Sequence, residues 1–102
     1  MKTKILAIGR NDEILQTVIR LINSNEQWKG AGAMQDSNAI QLFDESDFDL
    51  VLLCNGISKS AEDILCRYFR DKKPSIKIIQ HYGGGSGLLS NEIIAALNDN
   101  AL

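Results

Sequence analysis

Two side chains and one glycine run in this 102-residue chain could do chemistry. Cys54 follows the apolar run Leu50-Val51-Leu52-Leu53, and His81 follows a second one that holds Ile76, Ile78 and Ile79. A thiol becomes a good nucleophile when a nearby base or positive charge lowers its pKa. Neighbouring strand tips would bring Cys54 and His81 together, with Arg10 as the cation. No third group is evident to orient the imidazole, and cysteine is also a common small buried residue. Packing is therefore the plainer role for Cys54, and no catalytic residue is assigned. Cys66, twelve positions on, reads as structural. The glycine run is Gly83-Gly84-Gly85-Ser86-Gly87. Amides without side chains can approach an anion closely, and a helix that follows adds a positive end. No acid occurs from Gly83 until Glu92. The run lacks the Lys-Ser/Thr ending of a P-loop and the spacing of a dinucleotide fingerprint. A ligand-free turn is its plainer reading, and a phosphate-bearing small molecule is the ligand class it would otherwise take.

Positioning these groups requires strands whose ends converge. Residues 4–8 are apolar and end at Gly9-Arg10. Asn11 can cap a helix, with Asp12 and Glu13 in its first turn. Ile14, Leu15, Val18, Ile19 and Ile22 then recur at helical spacing. Residues 28–34 make a weak strand, short of β-branched residues and carrying two glycines, which suits a sheet edge. Asp36-Ser37 opens a short helix with Ala39, Ile40, Leu42 and Phe43, and residues 44–47 read as an acidic solvated loop. Residues 48–53 form the strongest strand, apolar enough for burial on both faces. A third helix follows, with Ser60 and Asp63 as a capping pair. Its inward face is Ile64, Leu65, Tyr68 and Phe69, and Pro74 marks its end. Residues 75–80 give a fourth strand and residues 89–98 a last helix.

Strand–helix alternation at this spacing implies an α/β fold with right-handed crossovers. The expected architecture is an open parallel four-stranded sheet of order 2-1-3-4, flavodoxin-like, with helices on both faces. Ligands of such sheets bind beyond the carboxyl ends of the strands, where the strand order reverses. The rim of that crevice would hold Gly9, Arg10, Asn11, Cys54, Asn55 and Gly56, with His81, Tyr82 and the glycine run beside it. Trp28 and Tyr82 could stack on a ring, although a lone aromatic more often packs against its own domain.

Composition narrows the function classes. The length suits one domain, residues 1–102. A net charge of −2 with no basic block argues against nucleic acid as a partner. Arg67, Arg70, Lys72 and Lys73 gather at one helix end, where cations suit the dipole. No apolar run approaches the roughly 20 residues that span a bilayer, and the first apolar run is too short for a signal-peptide core. A cytoplasmic location is expected. Two cysteines and one histidine are too few for a zinc site, and no metal or cofactor is expected.

Along residues 4–80 the chain resembles the receiver domains of two-component response regulators. The likeness rests on the strand order, on Ile-Leu-Ala-Ile at the start and on Phe-Asp-Leu-Val-Leu-Leu before the turn. In that family an acidic pair after the first strand coordinates magnesium, and the third strand ends in the aspartate that accepts phosphate. Here those places hold Gly9, Arg10 and Cys54. Gln80 or His81 stands where a hydroxyl residue is expected, and the lysine of a fifth strand has no counterpart. Asp12 as a relocated magnesium ligand is less economical than Asp12 at a helix start. The resemblance therefore implies a degenerate receiver whose phosphotransfer is carried over to no residue. The expected function is a receiver-like regulatory or protein-interaction module, with a small phosphate- or nucleotide-binding domain as the alternative. With no fifth strand, the fourth becomes an open edge and invites a homodimer. The last helix, crossing to the first helix's face, would replace the family's final helix.

Overall fold

The computed structural model describes residues 2–54, 56–81 and 86–98. In chain order the elements are β1 (Thr3–Ile8), α1 (Asp12–Asn23), β2 (Trp28–Ala33), α2 (Asp36–Glu45), β3 (Leu50–Leu53), α3 (Lys59–Lys72), β4 (Lys77–Gln80) and α4 (Ser86–Leu97). The strands form one parallel sheet of order β2-β1-β3-β4, the expected arrangement. No helix among the described residues is long and apolar enough to cross a membrane.

The alternation of side chains along a strand builds two cores. Ile5, Ala7, Leu50 and Leu52 face α1 and α4, where they meet Leu15, Val18, Ile22, Leu89 and Ile93. Leu6, Ile8, Val51 and Leu53 face α2 and α3, where they meet Ala39, Phe43, Leu65 and Phe69. Each fully buried Leu, Ile or Phe contributes roughly 1.5–3 kcal/mol of apolar transfer. β1 and β3, packed on both faces, therefore anchor the molecule. The two weak-looking glycines of β2 have a steric cause. A Cβ on Gly30 would lie 2.9 Å from Cγ2 of Ile22, and one on Gly32 would lie 2.2 Å from Cδ1 of Ile19. α1 lies against β2 too closely for side chains there.

Helix ends account for most differences from the sequence expectations. Asn11 caps α1 as expected, its Oδ1 accepting from the Ile14 amide at 3.0 Å. α3 is capped by Ser58, whose Oγ accepts from the Ala61 amide at 3.2 Å. The expected Ser60–Asp63 pair fails because Ser60 already lies inside the helix and Asp63 is drawn to Lys59 at 2.7 Å. Ile14 and Ile64, assigned to inward faces, are 44% and 65% exposed. Each lies in an early turn of its helix, rotated away from the sheet-facing row that continues below it. The acidic segment 44–47 is more than a solvated loop. Asp44 and Glu45 belong to α2, Tyr68 donates to Asp44 at 2.7 Å, and Lys73 donates to Asp47 at 2.7 Å and to the Phe48 carbonyl at 2.6 Å. The Lys73 hydrogen bond holds the Asp47 carboxyl below its ordinary pKa.

α4 starts at Ser86, three residues before the expected residue 89, so Ser86 and Gly87 are helical rather than part of a turn. Its buried residues Leu89, Ile93 and Ala96 join the cluster of α1. The chain thus carries its last helix back across the sheet to the first helix's face. Among the described residues β4 then pairs with β3 alone.

Candidate functional site

Parallel strands bring the ends of β1, β3 and β4 to one rim, and backbone bonds continue past the strands to fix it. The Cys54 amide donates to the Ile8 carbonyl at 2.8 Å, and the His81 amide donates to the Leu53 carbonyl at 2.8 Å. Cys54 is thereby set directly beyond β3, beside Gly9. A Cβ on Gly9 would sit 3.0 Å from the Cys54 Cβ, with Leu15 also in reach. The thiol is 1% exposed and belongs to the α1–α4 core. Burial pushes its pKa up to about 11, opposite to the lowering that the catalytic reading required of Arg10.

Arg10 turns towards α2. Its Nη1 donates to the Met34 carbonyl and its Nη2 to Asp36 Oδ1, each at 2.6 Å. The guanidinium therefore ties the tip of β1 to the start of α2, and Asp36 also suits the positive end of that helix. Asn11 is occupied as the α1 cap. Gly56 adopts φ +96°, a left-handed conformation that a side chain disfavours. A Cβ there would meet the Arg10 Cβ at 2.9 Å, so this turn closes over the Arg10 stem.

His81 is buried, and its Nδ1 hydrogen-bonds Glu92 Oε1 of α4 at 2.6 Å. Glu92 is the orienting group that the sequence reading missed. The signal was present, since Glu92 is the first acid after the glycine run and lies one turn from the buried face of α4. The pair fastens α4 to the end of β4. Asp12, weighed as a metal ligand, is exposed in the first turn of α1 and accepts from Gln16 at 3.4 Å. Among the described residues no group of three or more His, Cys, Asp or Glu could hold a metal ion.

The structure thus brings Arg10, Asn11, Cys54, Gly56 and His81 to one rim and gives each a partner or a packing role within the fold. Ser86 and Gly87 open α4. Asn55, Tyr82, Gly83, Gly84 and Gly85 lie outside the described residues. Cys66, on α3, is partly buried, and burial also raises its thiol.

The arrangement has well-defined counterparts among solved structures. One is the signal receiver domain of an HD domain-containing protein from Pseudomonas fluorescens Pf-5. It is 20% identical at a TM-score of 0.71, over 96% of this chain and 78% of that one. A second is a response regulator receiver domain protein from Clostridium thermocellum, 24% identical at 0.69, over 91% and 73%. A third is an orphan response regulator of H. pylori, 16% identical at 0.73, over 93% and 96%. At these identities the likeness is one of fold, and the fold is that of the receiver domains. No protein-family model and no curated protein matches the chain.

Magnesium, which the receiver family holds at this rim, does not fit the residues present. It demands hard oxygen ligands in near-octahedral geometry. Gly9 offers no side chain, Arg10 is a cation already bonded to Asp36, and Cys54 is a buried thiol.

Proposed function

We propose that this chain is a receiver-fold regulatory module that works by binding protein and is not switched by phosphorylation of the third-strand tip. The observation that carries this reading is Cys54. A buried thiol, with its pKa raised to about 11, follows β3 where the receiver family places the aspartate that accepts phosphate. A carboxylate at that point attacks phosphorus and is balanced by a divalent cation. A protonated thiol beneath Gly9 does neither. The tip of β1 carries the Arg10–Asp36 bridge instead of an acidic pair. The surfaces left for signalling are those that bind without chemistry, namely the helix faces and the open edge of β4.

Incubation with acetyl phosphate and magnesium, followed by intact-mass analysis, tests this. The expected spectrum has no added phosphoryl group, and a stoichiometric carboxyl-linked one would overturn the reading. A second reading, an anion-binding domain, draws on α4 starting at Ser86 directly after the glycines. It has less support, because Arg10 and Asn11 already have partners inside the fold. Amide NMR shifts at Arg10, Gly56 and Ser86 on addition of phosphate or nucleotides would favour it, and a silent spectrum would remove it.

A further inference from the structure

We propose that the partner of this module is a second copy of the same chain, paired two-fold through β4 so that the two sheets join as β2-β1-β3-β4-β4-β3-β1-β2. This deepens the reading of the chain as a protein-binding module and rests on it.

The backbone sets the register. The amides of Lys77 and His81 point towards β3, donating to the Asp49 and Leu53 carbonyls. Backbone groups alternate in direction along a strand, so the N–H and C=O of Ile78 and Gln80 face the open edge. An antiparallel copy matches them when Ile78 of one chain stands opposite Gln80 of the other and Ile79 stands opposite Ile79 on the axis. Each Ile78–Gln80 pair then exchanges two hydrogen bonds, four in all. The other edge is a poorer candidate. β2 presents Lys29, Gly30, Ala31 and Gly32, with little to bury, whereas β4 offers a half-buried isoleucine to each face of the sheet.

A strand of four residues spans only about 13 Å, and a stable dimer buries about 1,200 Å² or more. The flanks must contribute. On one face Ile79 borders a shallow groove with Ala95 and Ala96, small enough for the symmetry-related isoleucine to enter. On the other face, α3 and Gln80 line a groove of about 580 Å³. α3 runs antiparallel to β4, and Gln80 donates to Glu62 in its first half. The first half of the groove carries Lys59, Glu62 and Asp63, with Lys59 already bridged to Asp63. The second half carries Arg67, Arg70 and Asp71, a net positive charge, and neither arginine has a hydrogen bond or ion pair among the described residues. An antiparallel copy brings the acidic half of one α3 to the basic half of the other, twice. The charge pattern is self-complementary in the same orientation that the edge requires.

Sedimentation or light scattering on the full chain, with far-UV circular dichroism to confirm folding, tests the arrangement. Twice the monomer mass is expected at tens of micromolar, about the range in which a standard-sized interface of modest affinity fills. Ile79→Lys places like charges on the axis, and Arg67→Glu with Arg70→Glu makes both halves of α3 acidic. Asp63→Lys makes both halves basic. Each variant should weaken the dimer at least about tenfold while remaining folded. Mixing the Arg67→Glu/Arg70→Glu chain with the Asp63→Lys chain should restore a heterodimer. A wild-type chain that stays monomeric at about 100 µM, or a dimer that the charge reversals leave intact, overturns the proposal. Phosphate uptake in the mass experiment would instead defeat the unphosphorylated-module reading and leave the dimer result standing.

Discussion

A thiol held near pH 11 by its surroundings keeps its proton at neutral pH and stays a poor nucleophile. Cys54 is therefore expected to react with an alkylating probe more slowly than a free thiol, and more slowly than the partly buried Cys66. Mass mapping after a short exposure near neutral pH checks the order, and preferential labelling of Cys54 would revive a catalytic role. The same burial links Cys54 to stability. The unfolded thiol ionises near its ordinary value of 9.0, whereas the folded one retains its proton to about 11. Between these values the folded state binds more protons than the unfolded state, so stability falls as pH rises. A two-unit shift corresponds to about 2–3 kcal/mol across that window. Urea titrations at pH 8, 9.5 and 11 should show the decline, and Cys54→Ala should reduce the slope. An identical slope in the variant would mean that Cys54 is better solvated than its position implies.

At the scale of elements, β2 shows how a strand of low intrinsic propensity is retained by its neighbour. Gly30 and Gly32 admit α1, but the atoms they admit differ. At Gly30 an added methyl meets both Cγ2 and Cβ of Ile22, a fully buried β-branched residue with no room to turn. At Gly32 the nearest atom is Cδ1, the far end of the partly exposed Ile19. Gly30→Ala should therefore destabilise by about 1–3 kcal/mol, in the range of overpacked cores. Gly32→Ala should cost less, because Ile19 can change rotamer and alanine loses less backbone entropy than glycine. Paired chemical denaturation of the two variants decides the order. β2 also marks how far the sequence could be read. Its place at the edge and the α1 cap at Asn11 followed from local pattern, and the strand order followed from strand–helix alternation set beside the flavodoxin-like arrangement. The reason for its glycines did not, because it depends on a helix packed across the sheet. The same holds for Ser58 displacing Ser60 as the α3 cap, for the early start of α4 and above all for the His81–Glu92 bond. These are set by partners distant in the chain, and periodicity does not name partners. At the rim the reading brought Arg10, Asn11, Cys54, Gly56 and His81 together and gave Asn11 a cap and Cys54 a packing role, but it did not name the partners of Arg10 and His81.

For the whole molecule the decisive element is α4, which returns from the end of β4 to cover the α1 side of β1 and β3. Its buried residues share one core with Ile5, Ala7, Leu50 and Leu52, on the two strands that hold the sheet together. Peeling α4 away would strip Leu89, Ile93 and Ala96 from the core that β1 and β3 build, so α4 and the sheet should unfold as one cooperative unit. Ile93→Ala tests this directly, since Ile93 is fully buried in that layer. Truncating a buried isoleucine costs about 2–5 kcal/mol, a large share of the roughly 5–15 kcal/mol that stabilises a typical native domain. Trp28, buried in the same cluster at the far edge of the sheet, reports on that core by fluorescence, while far-UV circular dichroism reports on all four helices. The two urea transitions should coincide in the wild type and shift together in the variant. A dichroism change that precedes the fluorescence change would mean that α4 detaches first. The α1 face would then open before the rest of the fold, and the His81–Glu92 bond would be a latch and not part of a cooperative core.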